Sequence, residues 1–201
     1  MPNIFLSGYL LGNVYKVIDI DYEYKDYMGC SSYKELKQQV KGEYNIAIGY
    51  SLGGRILLRL LAENHITVNK LYLISSPFFI HKTSTFPYGM EVKTFKFLRR
   101  IIYSLPEQFI NVLLKTLYYI KLLPSTNWSL KNIKYWFHFL KYPFSIENIK
   151  VNATIIHGNK DWIVNLENAK FIADKLDGKL ITLNNTGHII NPFRLKSLLK
   201  E

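Results

Sequence analysis

The chain has 201 residues, enough for one domain carrying an insertion, and 48% hydrophobic residues, ample for a buried core. One cysteine, Cys30, excludes an intrachain disulfide and suits the cytosol. No apolar stretch reaches the ~20 residues of a membrane span, and the formal net charge of +11 calls for an account of where the cations lie.

In chain order, Asn3 to Leu6 reads as a first strand, followed by the turn Ser7-Gly8-Tyr9-Leu10-Leu11-Gly12. No charged leader or cleavage site precedes it, so no signal peptide is expected. A second strand is predicted near 14–20 and a helix over 32–41. A third strand near 45–49 leads into Gly49-Tyr50-Ser51-Leu52-Gly53-Gly54, and a helix over 52–63 follows. A strand, a tight turn with a serine at the bend and then a helix are the context of a nucleophile elbow. Flanking glycines let strand and helix pass close to the serine, whose hydroxyl is left exposed.

Strands near 71–75, 152–157 and 180–184 and helices near 165–176 and 192–200 complete the alternation, which implies a mostly parallel sheet of about six strands with helices on both faces. Asp161 lies just past the strand ending in Ile155-Ile156-His157, after the Gly158-Asn159 turn. His188 lies just past the last strand, in Asn184-Asn185-Thr186-Gly187-His188. Sites in open α/β sheets form beyond the carboxyl ends of strands. A serine needs a base, and the base an orienting acid, so Ser51, Asp161 and His188 are expected to meet at one sheet edge. His157 competes with His188 but reads as a structural turn residue. His65, His81 and His138 have no matching acid, and Asp19, Asp21 and Asp26 could line the same edge. Gly8 would let the backbone approach a substrate, so the N–H groups of Tyr9 and Leu52 are the candidate oxyanion donors.

Residues 80–146 leave the alternation and become helical and aromatic, and are read as a cap inserted between the fourth and fifth strands, with 1–79 and 147–201 forming the core. Ten Lys or Arg but only two acids, Glu91 and Glu107, fall here, which is +8 of the total charge. Such a concentration is either a solvated face or a docking surface for a negative partner; Arg99, Arg100, Lys115 and Lys121 are the candidate contacts. No nucleic-acid motif accompanies them. Phe109, Leu113, Leu114 and Tyr118 are candidates to line an acyl-chain tunnel. No repeat, metal-ligand cluster or cofactor motif is seen.

These motifs together resemble the α/β-hydrolase family over nearly the whole chain. The stretch Ser75-Ser76-Pro77-Phe78-Phe79, with Phe86-Pro87-Tyr88-Gly89-Met90 and Phe97-Leu98, is similar to the pimeloyl-[acyl-carrier protein] methyl ester esterases of biotin synthesis. That resemblance implies a serine carboxylesterase with a catalytic Ser51, Asp161 and His188, oxyanion donors Tyr9 and Leu52, and a basic cap that holds an acidic acyl carrier protein; a cytoplasmic monomer without cofactor is expected. Two alternatives stay open: a general small-acyl esterase or thioesterase, and a non-catalytic binding protein on the same scaffold.

Overall fold

The computed structural model describes residues 1–10, 21–109, 112 and 128–199. The expected strand near 14–20 and the candidates Leu113, Leu114, Lys115, Tyr118 and Lys121 lie outside the described residues.

Six strands form one sheet: β1 (Ile4–Leu6), β2 (Glu23–Lys25), β3 (Gly42–Tyr50), β4 (Ile66–Ile74), β5 (Asn152–Gly158) and β6 (Lys179–Leu183). Their spatial order is β2-β1-β3-β4-β5-β6, and every pairing is parallel. From β1 the chain steps outward to β2 and then returns to the other side of β1 for β3. The carboxyl ends of β1 and β3 therefore flank a topological switch point, where open sheets leave a crevice for ligands.

The sheet's two faces are read from strict alternation. Ile4, Leu6, Ala47, Leu71, Leu73 and Ile155 belong to one buried cluster, and Phe5, Ile48, Tyr72, Ile74 and Ile156 to the other. Helices among the described residues include α1 (Tyr33–Gln39), α2 (Leu52–Ala62), α3 (Val92–Ser104), α4 (Leu130–Phe139), α5 (Leu166–Leu176) and α6 (Pro192–Leu199). The first five contribute to the first cluster and α6, through Leu195 and Leu199, to the second. Local chemistry sets their starts: Ser32, Ser129 and Asn165 accept N–H groups of the first turns of α1, α4 and α5.

β3 and β4 run longer than their apolar stretches predict. Their first halves hold Glu43, Asn45, Thr67, Asn69 and Lys70, which hide the strands from a hydrophobicity reading, yet Gly42 to Tyr50 pairs with Ile66 to Ile74 in continuous register.

Between β4 and β5 lie α3 and α4, which pack differently. Among α3 residues only Phe95 is buried, whereas α4 buries Ile133, Trp136, Phe137 and Phe139. The Trp136 indole donates to the Cys30 carbonyl at 2.9 Å and the Asn132 amide to the Met28 carbonyl at 3.1 Å. Asp26 accepts from the Trp128 indole at 2.7 Å, so that carboxylate anchors the same region. Among the described residues no helix is long and apolar enough to cross a membrane.

Candidate active site

Ser51 stands between β3 and α2 with φ +50° and ψ −119°. A β-carbon normally disfavours this region, so surrounding structure must hold the serine there. Its N–H donates to the Ile74 carbonyl of the neighbouring strand at 2.7 Å, fixing the bend from one side. From the other, α2 crosses very close to β3, where a Cβ on Gly49 would lie 2.3 Å from the Gly54 Cα, and to the turn after β4, where one on Gly54 would lie 2.0 Å from Ser76 Oγ. Only glycines allow that crossing, as the sequence predicts.

The loops after β5 and β6 are joined in the same way. The Asn159 N–H donates to the Leu183 carbonyl at 3.0 Å and the Lys160 N–H to the Thr186 carbonyl at 2.9 Å. A Cβ on Gly158 would sit 2.2 Å from that Thr186 oxygen. The approach brings Asp161 to His188.

His188 Nδ1 lies 2.8 Å from Asp161 Oδ2, and His188 Nε2 lies 3.1 Å from Ser51 Oγ. An ionised carboxylate only accepts, so the imidazole proton is on Nδ1 and Nε2 accepts from the serine hydroxyl. The second carboxylate oxygen, Oδ1, accepts the N–H groups of Ile163 and Val164, both at 2.9 Å, which lock the Asp161 side chain. All three residues are at most 9% exposed. Ser51, Asp161 and His188, far apart in sequence, are thus brought into one hydrogen-bonded chain.

Two residues at this edge exceed their sequence reading. Tyr50, beside the serine on β3, donates its hydroxyl to the His188 carbonyl and accepts the Ile190 N–H at 3.0 Å, so it holds the histidine's own loop. No local pattern signals this. His157, read as a turn residue, is wholly buried at the end of β5. Its Nε2–H donates to the Val164 carbonyl at 2.8 Å, and the same nitrogen is 3.4 Å from Asp161 Oδ2. Burial pushes its pKa below the ordinary histidine value, opposed by the Val164 carbonyl and Asp161. The lowered pKa favours the neutral ring, which matches its single donated proton.

Tyr9 and Leu52 both border the cavity above Ser51. Leu52 opens α2, where N–H groups lack intrahelical partners. Neither its N–H nor that of Tyr9 has a backbone acceptor among the described residues. The Tyr9 hydroxyl is turned away, donating to the Ile133 carbonyl at 3.0 Å, and burial raises its pKa.

The cavity measures about 220 Å³. Apart from Ser51, His188 and Tyr9 its described lining is apolar, including Ile80, Met90, Phe95, Leu98, Phe137 and Leu140 from between β4 and β5. Sequence reasoning sought the wall further along. Phe109 is 53% exposed and does not line the cavity. The α3 side chains that do line it are hard to read, because buried Phe95 is two residues from exposed Phe97. Arg99 and Arg100 are exposed and border a separate surface depression with Lys96 and Tyr103.

No protein-family model matches the chain, and no curated protein does. Among solved structures, an esterase from Exiguobacterium antarcticum matches with a TM-score of 0.75 and 18% identity, covering 100% of this chain and 90% of that one. A thermophilic esterase from Thermogutta terrifontis matches with a TM-score of 0.67 and 12% identity, covering 100% and 88%. MenH from S. aureus matches with a TM-score of 0.62 and 15% identity, covering 100% and 92%. At such low identity these likenesses speak for architecture: the six-stranded parallel sheet with its flanking helices is the α/β-hydrolase fold.

Proposed function

We propose that the chain is a serine hydrolase acting on carboxylic esters with an apolar acyl or alcohol group. The observation that carries this reading is the hydrogen-bonded chain from Asp161 through His188 to Ser51, 2.8 and 3.1 Å long, at the wall of an apolar cavity. In the proposed reaction His188 Nε2 takes the Ser51 proton as the hydroxyl oxygen attacks the ester carbonyl. Asp161 keeps the imidazole in the required tautomer and stabilises the imidazolium. The Leu52 and Tyr9 N–H groups would hold the oxyanion. His188 then protonates the leaving alcohol, and water, activated by the same base, cleaves the acyl-enzyme. A cavity with no charged lining group among the described residues favours uncharged chains.

The narrower reading is a methyl esterase for a pimeloyl group on an acidic carrier protein, with residues 80–146 acting as the cap. It is supported by the short likeness around Ser75 to Met90 and by the exposed cations Lys96, Arg99 and Arg100 on α3. Initial rates on the pimeloyl-carrier methyl ester and on p-nitrophenyl butyrate, each at low and high salt, test both levels. Fast cleavage of the carrier ester that weakens with salt, beside slow and salt-insensitive turnover of the small ester, is the expected result, because exposed charges are screened by salt. Turnover of the small ester alone would leave the hydrolase and remove the carrier. Turnover of neither would speak for a non-catalytic binding protein.

A further inference from the structure

Arg55, on α2 one turn after Ser51, is wholly buried, and among the described residues no carboxylate pairs with it. Its Nη2–H donates to the Tyr142 carbonyl at 2.6 Å, while Nε and Nη1 have no hydrogen-bond partner among the described residues. The guanidinium carbon lies 5.3 Å from the Phe79 ring centre and 5.0 Å from that of Phe144. Burial, and then the neighbouring Arg59 cation, push its pKa down to about 9, which still leaves it charged at neutral pH. An unpaired buried cation is an expensive way to fill space, since apolar side chains of like volume are generally as stabilising or more so. Its partners indicate what it does instead. Phe79 is where the chain leaves the sheet after β4, and Tyr142 and Phe144 are where it returns before β5.

We propose that Arg55 is a positioning residue that clamps both ends of the segment between β4 and β5 to the nucleophile helix, and so sets the shape of the cavity wall. A planar cation suits this role because it stacks on two rings and still presents a directed N–H. The outgoing end is also gripped from α5: the Asn168 side chain accepts from the Phe78 N–H at 2.7 Å and donates to the Phe79 carbonyl at 2.8 Å. Ile80 is one residue beyond Phe79 and Leu140 two before Tyr142, and both line the cavity. A shift at either clamp point is therefore passed directly to the wall.

The test uses the full chain with Arg55→Met, which keeps the volume and removes the charge, and Arg55→Lys, which keeps the charge and removes the planar fork. Hydrogen exchange reads the clamp independently of activity. Expected in both variants is faster exchange confined to residues 76–83 and 140–147, with the sheet strands unchanged and the Arg55→Met melting temperature equal or higher. The second arm rests on the hydrolase reading: the octanoate-to-acetate ratio of kcat/KM for p-nitrophenyl esters falls about tenfold or more, mainly through KM, as expected when a remote change displaces a positioning wall. Unchanged exchange in both segments overturns the clamp, and so does a uniform rise with a lowered melting temperature or failure of both variants to fold. If the wild type cleaves neither ester, the hydrolase reading fails and the exchange result still decides the clamp.

Discussion

The carboxyl edge of the sheet and the segment between β4 and β5 both border the cavity, but they are built differently. At the sheet edge the backbone does most of the positioning. Ser51 is held by a strand carbonyl and close glycine contacts, Asp161 by two N–H groups, and the two distal loops by carbonyl bonds across Gly158. In the other region side chains predominate: Trp136 on the Cys30 carbonyl, Asn132 on Met28, and Arg55 between two phenylalanine rings. Backbone-built geometry depends on turn residues that leave a local trace in sequence. Side-chain-built geometry depends on partners met only in the folded chain, such as Cys30 for Trp136, 106 positions away, and these leave none.

The largest effect that would separate the regions is at the serine. Ser51→Ala is expected to lower kcat on the order of 10⁶-fold with the fold intact, measured by ester turnover beside circular dichroism. An undiminished rate would place the chemistry elsewhere. Asp161→Asn should follow at about 10⁴-fold, because an amide can donate to His188 and favour the wrong tautomer. A loss of only a few fold would mean that the 2.8 Å contact does not orient the base.

Gly54→Ala tests the elbow itself. The new Cβ would meet Ser76 Oγ at 2.0 Å, so a destabilisation of about 1–3 kcal/mol is expected by denaturant titration, together with loss of turnover. A mutation of the same size at exposed Thr94 of α3 should do neither. Tyr50→Phe removes a buried hydroxyl bonded to the His188 carbonyl and the Ile190 N–H, at a cost of about 1–3 kcal/mol, and kcat should fall more than KM rises.

The smallest expected effect is in pH. His157 has a lowered pKa in the folded state, so between that value and the ordinary one near 6.5 the unfolded chain binds more protons. Its contribution to stability is therefore complete above about 6.5 and is lost as pH falls through that value toward the folded pKa. Melting temperature should drop on acidification from pH 7, and His157→Asn should flatten the drop. An equal slope in both proteins would assign the acid sensitivity to other groups.

These contrasts also explain what could be read beforehand. Five strands, the elbow and the meeting of Ser51, Asp161 and His188 followed from alternation, glycine placement and chain order. Tyr50 was silent because its partner carbonyl is 138 positions away. His157 was legible as a strand end but not as a neighbour of Asp161, since its role depends on the loop folding back to Val164. Of the expected wall residues Phe109 is exposed, while Leu113, Leu114 and Tyr118 lie outside the described residues; Phe95 and Leu98 escape a sequence reading because apolar and basic residues alternate along α3, so no clean face marks them as the inward pair.

The most direct test of the central claim is labelling with a fluorophosphonate probe, with the adduct located by mass spectrometry in the wild type and in His188→Ala. The account predicts one adduct, on Ser51, formed rapidly in the wild type and at least a hundredfold more slowly without the His188 base. An unlabelled Ser51, or labelling that proceeds equally without His188, would contradict it.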